Sequence, residues 1–106
     1  MKKERHIRLN VSKRRVFTAI VKGRRHIYYP CTDYYLRRLC EVVGIDFVLR
    51  EWDTVELTGR TGRFIFKVED IYIKDIDGMP HFKIYLGDVV EYEKIDEHRK
   101  KNDIQK

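Results

Sequence analysis

Between residues 63 and 86 the chain places cations and aromatic rings at alternating positions: Arg63, Lys67, Tyr72, Lys74, His81, Lys83 and Tyr85, with Ile65 among them. Alternate residues of an extended strand share a face, so this spacing predicts a surface where charged amino and guanidino groups stand beside exposed phenol rings. Such cations neutralise phosphates with release of counterions, and exposed rings stack on unpaired bases. The interleaved residues Phe64, Phe66, Val68, Ile71, Ile73, Phe82, Ile84 and Leu86 are apolar, which predicts a core on the other side of the same strands. Further cations cluster at Lys13, Arg14 and Arg15, at Arg24 and Arg25 after Lys22, and at Arg37 and Arg38. The first two clusters fall at predicted turns and the last on a predicted helix, where long basic side chains reach a phosphate backbone without disturbing the fold; Arg8 and Asn10 are the residues placed to read base edges.

Composition agrees with that chemistry. Lys and Arg number 23 against 17 Asp and Glu, a net charge of +6 over 106 residues, which favours a polyanionic partner. Hydrophobic residues make up 42% and charged residues 38%, enough apolar material for a core under a surface more charged than that of an average domain. The same enrichment in Lys, Arg and Glu accompanies growth at high temperature, so a thermophilic archaeal or viral source fits the composition.

The elements that must position these residues follow from the periodicity. Ile7, Leu9 and Val11 alternate with Arg8 and Asn10, the pattern of a half-buried strand. Residues 15–22 (RVFTAIVK) are rich in β-branched and aromatic types and predict a second strand paired as a hairpin; 25–29 (RHIYY) predict a third, closed by Pro30. Thr32 or Asp33 caps a helix whose stripe is Leu36, Leu39, Cys40 and Val43, stopped by Gly44. Residues 45–50 are apolar on both sides and read as a further strand. From Thr54 the chain predicts a β-meander with turns at Gly59-Arg60-Thr61-Gly62, at Asp77-Gly78 and at Gly87-Asp88, and a break or bulge at Glu69 and Asp70. The fold class expected is α+β: a three-stranded antiparallel N-terminal meander plus one helix, packed with a C-terminal antiparallel meander or small SH3-like barrel. We expect one domain, with a basic arm at 1–6, a βββα half at 7–44, a β-rich half at 45–93 and a charged tail at 94–106.

The order HIRLNV, RVFTAIVK, RHIYY, DYYLRRLCEVV resembles the small DNA-binding domains of phage-type integrases and plant AP2 factors, and the resemblance implies a sheet docked in the major groove. The segment WDTVELTGRTGRFIFKV resembles the opening of an SH3-like barrel of the KOW type. The Trp that characterises the first family's sheet is absent here, as is the second family's Gly at the position of Trp52, so no site residue is carried over from either.

Other chemistries find less support. His6, His26, His81 and His98 are scattered without metal-ligand spacing, and no cofactor-binding motif occurs. A Mg²⁺-dependent nuclease would draw carboxylates from Glu56, Glu69 or Asp70 with Lys67 beside the phosphate. Cys31 and Cys40, with no CxxC, read as reduced thiols. Without a long apolar run or a signal-type N-terminus the expected location is cytoplasmic, away from membranes. The sequence therefore leads to a non-enzymatic nucleic-acid-binding protein, DNA ahead of RNA. Its rival is an interaction module that dimerises through sheet edges, with residues 45–50 and Trp52 at the interface.

Overall fold

The computed structural model describes residues 4–94; residues 1–3 of the expected arm and 95–106 of the expected tail lie outside that range. Its elements are β1 (His6–Asn10), α1 (Arg14–Val21), β2 (His26–Pro30), α2 (Asp33–Leu39), β3 (Cys40–Val43), β4 (Asp46–Leu49), β5 (Thr54–Thr58), β6 (Gly62–Ile76) and β7 (Met79–Lys94). The result is a compact α+β fold in which most strands join one mixed sheet, ordered β1-β5-β6-β7-β2, with β3 and β4 forming a separate hairpin. β1 runs parallel to β5, and every other pair is antiparallel.

The N-terminal meander is not formed. Residues 14–21 fold as a helix, and β1 and β2 stand at opposite edges of the sheet. The reason lies in burial. Phe17 and Ile20, one turn apart with Val16 beside them, pack on the sheet's inner face, and the Phe17 ring sits 5.8 Å from that of Phe64. Burial of two large side chains at helical spacing overrides the strand preference of the β-branched residues around them. α1 is thus the crossover that carries the chain from one edge of the sheet to the other.

The expected helix beginning at Thr32 is present but shorter. It ends at Leu39, and residues 40–43 turn into β3, so Leu39 and Cys40 are buried while Val43 stands in solvent. Trp52 staples this junction, its indole N–H donating to the Leu39 carbonyl at 3.1 Å.

β6 and β7 form the long hairpin on which the molecule is built, and Asp77-Gly78 turns it. Both residues have positive φ, +50° and +81°, as a tight two-residue hairpin turn requires. The expected turn at Gly87-Asp88 is absent. β7 continues through it, and the register jumps from Val68↔Leu86 to Phe66↔Val89, which leaves Gly87 and Asp88 facing Lys67 alone. This is a bulge rather than a reversal, because a Gly on a strand absorbs the extra residue. Two further irregularities fall at Val90, skipped between Ile65↔Glu91 and Phe66↔Val89, and at Glu69, the latter as the sequence indicated. The bulges divide the hairpin: residues 63–67 of β6 pair with β5, and residues 81–85 of β7 pair with β2.

The buried set is Ile7, Leu9, Ile27, Tyr29, Val55, Leu57, Phe64, Phe66, Phe82, Ile84 and Leu86, covered by Phe17, Ile20 and Leu39 from the helices. The sheet curves around it, and the Tyr29 hydroxyl of one edge donates to the Asn10 carbonyl of the other at 2.9 Å. Of the eight expected core residues, Val68 and Ile71 are half-buried and Ile73 is exposed, while Ile84 and Phe82 opposite the last two are fully buried, so the cover over this end of the sheet reaches β7 and stops short of β6.

Candidate nucleic-acid interface

The uncovered face of β2, β7 and β6 carries three rows of side chains set by the strand register. His26 lies opposite Tyr85, Tyr28 opposite Lys83 and Tyr72, and Pro30 opposite His81 and Lys74. Neighbouring strands are about 4.8 Å apart, so each row sets its members side by side. Lys83 is the centre. Its ammonium lies 4.6 Å from the Tyr85 ring centroid and 5.5 Å from that of Tyr28, while the Tyr72 and Tyr85 hydroxyls are 3.1 Å apart. His26 sits edge-on to Tyr28, with ring centroids 5.6 Å apart, and receives the Arg24 guanidinium at 3.3 Å.

These contacts set the protonation states. Hydrogen bonding to Tyr85, and less so to Tyr28, holds Lys83 charged well above the ordinary lysine range. Hydrogen bonds with Lys83 and Tyr72 lower Tyr85, and the hydrogen bond with Tyr85 raises Tyr72. Desolvation, followed by the positive charges of Arg24, Lys83 and Lys74, lowers His26. The patch is therefore a cluster of cations and phenol rings whose carboxylate neighbour by register is Asp70, opposite Tyr85 and accepting from the Ile71 amide, together with a neutral imidazole that an incoming anion would help to protonate.

Along the edge of β2 the face opens into a cleft of about 550 Å³, lined among others by Asn10, Lys13, Arg24, Tyr28 and His81. Lys13 stands just before α1, with Arg14 and Arg15 in its first turn, where no acidic residue or side-chain cap offsets them. Cations at that end of a helix oppose its dipole, and a bound anion relieves the conflict.

The structure sorts the expected site residues into separate places. Tyr72, Lys74, Lys83 and Tyr85 share the open face, Arg24 borders it, and Lys13 faces it across the cleft. Arg63 lies elsewhere on the sheet: it donates to Glu56 at 2.9 Å, to Glu91 at 3.1 Å and to Glu93 at 2.9 Å, so its charge is fully engaged. Lys67 is exposed beside Asp53 and Thr54, on a different recess. Arg25 turns to the core side, where it donates to the Ile20 and Arg24 carbonyls and lies 5.3 Å from the Phe66 ring centroid. Arg37 pairs with Asp33 at 2.9 Å, and Arg38 donates to the Arg8 carbonyl and lies over Tyr34.

Sequence reasoning missed Tyr28 and His26. Their alternation with Ile27 and Tyr29 was the available signal, but with β2 placed in an N-terminal meander nothing brought it next to β7. The carboxylates considered for metal do not converge. Glu56 is buried between Arg8 and Arg63, Asp70 accepts from the Ile71 amide, and no group of three His, Cys, Asp or Glu placed to hold a metal occurs among the described residues. Both cysteines are free, and burial raises their thiols. No helix among the described residues is long and apolar enough to cross a membrane.

No protein-family model, curated protein or solved structure matches this chain.

Proposed function

We propose that the protein binds nucleic acid on the open face of β2, β7 and β6. Phosphates are met by Lys83, Lys74, Arg24 and Lys13, and unpaired bases stack on Tyr28, Tyr72 and Tyr85. The observation that carries this reading is the row Tyr28–Lys83–Tyr72, in which a cation stands between two aromatic rings on three adjacent strands. Duplex stacks hide the faces of their bases, whereas a single strand offers them to a ring-bearing sheet, so single-stranded segments are the preferred target. The groove-docked reading of a meander loses its basis with the meander itself. The cleft beside β2 extends the track for the backbone past the aromatic rows.

Fluorescence anisotropy with labelled single- and double-stranded DNA and RNA of one length tests this. Tyr28→Ala and Tyr85→Ala are each expected to weaken single-strand binding by roughly 5- to 100-fold. Arg63→Gln, which touches the carboxylate network instead, is expected to leave affinity within about twofold. Equal loss in all three variants would refute the placement of the site.

A further inference from the structure

We propose that β4 is a homodimerisation edge, pairing antiparallel with β4 of a second copy about a two-fold axis through Val48. The starting observation is the β3–β4 hairpin, whose tip exposes Val42, Val43, Ile45, Phe47 and Val48, with Ile45 at 97%. These side chains stand on both faces of the hairpin, Val42 and Phe47 on one and Val43 and Val48 on the other, and large apolar side chains left exposed together mark an interaction surface. β4 also pairs on one side only, so its outer edge presents a row of backbone donors and acceptors to a further strand.

The geometry says which strand fits. Gly44 has φ +64° at the first position of a two-residue turn, and Val43 faces Asp46, the arrangement in which the residues flanking the turn form a hydrogen-bonded pair. The alternation continues to Arg50, whose amide donates to the Leu39 carbonyl at 3.2 Å. Asp46, Val48 and Arg50 therefore direct their backbone groups toward β3, and Phe47 and Leu49 direct theirs outward. Two copies of such an edge can join antiparallel only about an axis through a residue, never between residues, because outward groups must face outward groups.

Charge selects the register. With the axis at Val48, Asp46 of each copy faces Arg50 of the other, Phe47 and Leu49 become hydrogen-bonded partners, and the two Val48 side chains meet. Both ion pairs and the valine contact fall on one face, while Phe47, Val42 and the half-buried Leu49 extend each core across the new sheet on the other. An axis at Phe47 or Leu49 gives no ion pair. A second copy of this chain therefore complements the edge by backbone, shape and charge together. Trp52 stays out of this contact, since it is committed to Leu39.

The edge is short, so the expected dimer dissociates with a Kd of about 1–100 µM. Sedimentation velocity on the full chain, from about 1 µM to about 500 µM and without nucleic acid, is expected to show a monomer–dimer equilibrium in that range. Val48→Lys, at an exposed position, sets two ammonium groups face to face and is expected to weaken dimerisation at least tenfold with an unchanged circular dichroism spectrum. Asp46→Arg is expected to weaken it as well, and Asp46→Arg with Arg50→Asp to restore it. A monomer throughout that range, or a dimer indifferent to both Val48→Lys and Asp46→Arg, would overturn the proposal. If Val48→Lys fails to fold, the charge reversal and its rescue decide: loss without rescue, or no loss, counts against this register.

Discussion

Lys83 shows how one residue's surroundings select its role. An ammonium held charged by two tyrosine oxygens is a poor nucleophile and a good phosphate contact, and the rings that hold it are the surfaces on which bases would lie. His26 adds a pH dependence whose sign follows from its environment. Its folded pKa lies below the ordinary 6.5, so the unfolded chain takes up a proton first. The contribution to stability is present above about pH 6.5 and is lost as pH falls from there through the lower folded value. A phosphate bound at the proposed site would act the other way, because an anion offsets the part of the shift that comes from Arg24, Lys83 and Lys74. Affinity is therefore expected to rise as pH falls from about 7 to about 5.5, with proton uptake on binding. Binding isotherms over that range test it, and His26→Gln should reduce the slope. Arg63 is the counterexample at this scale. It was an equal member of the alternating series in sequence, yet Glu56 lies buried at 6% exposure beneath it and fixes it as a structural cation. Arg63→Gln is expected to lower the melting temperature by several degrees, since it removes a principal partner of a buried carboxylate.

At the scale of elements, the long hairpin and its turn were legible because Asp77-Gly78 and the period-2 pattern speak directly about backbone geometry. α1 was not, because RVFTAIVK carries a strand-like composition and its helical stripe is only two turns long. What settles it is the inner face of the sheet, which no local pattern contains. Gly87 misled for a related reason, since a glycine beside an aspartate serves a bulge as readily as a turn, and which one it serves depends on the partner strand. The candidate site inherited these errors: the β7 and β6 residues were found, and their β2 neighbours were not. Two substitutions test the packing. Gly59 closes the β5–β6 turn with its Cα over Phe17, and an added Cβ would stand 2.6 Å from that ring. Gly59→Ala is expected to cost about 1–3 kcal/mol in chemical denaturation. Phe17→Ala, which strips α1 of its main contact, is expected to cost about 3–5 kcal/mol. A near-neutral result for Phe17→Ala would mean that α1 does not cover the core.

Among the described residues the charges are segregated by the partners they meet. Around β5 and the start of β6, basic residues are consumed by Glu56, Glu91 and Glu93, while around β2 and the turn of the long hairpin Lys83, Lys74 and Arg24 meet tyrosines and histidines instead. The net +6 is thus less informative than where the unneutralised part of it lies. The proposed dimer edge is on a third region, so binding and association can be separated by mutation. The most direct measurement is a salt titration of single-stranded DNA binding from about 50 to about 200 mM, for the unaltered chain and for the variant Arg24→Gln, Lys74→Gln, Lys83→Gln. The unaltered chain is expected to lose affinity steeply with salt, and the variant to bind more weakly with a slope reduced by about 0.7 for each cation removed, roughly 2 in all. Equal slopes for the two proteins, or no binding by the unaltered chain at about 50 mM salt, would contradict the assignment of this face as the nucleic-acid site.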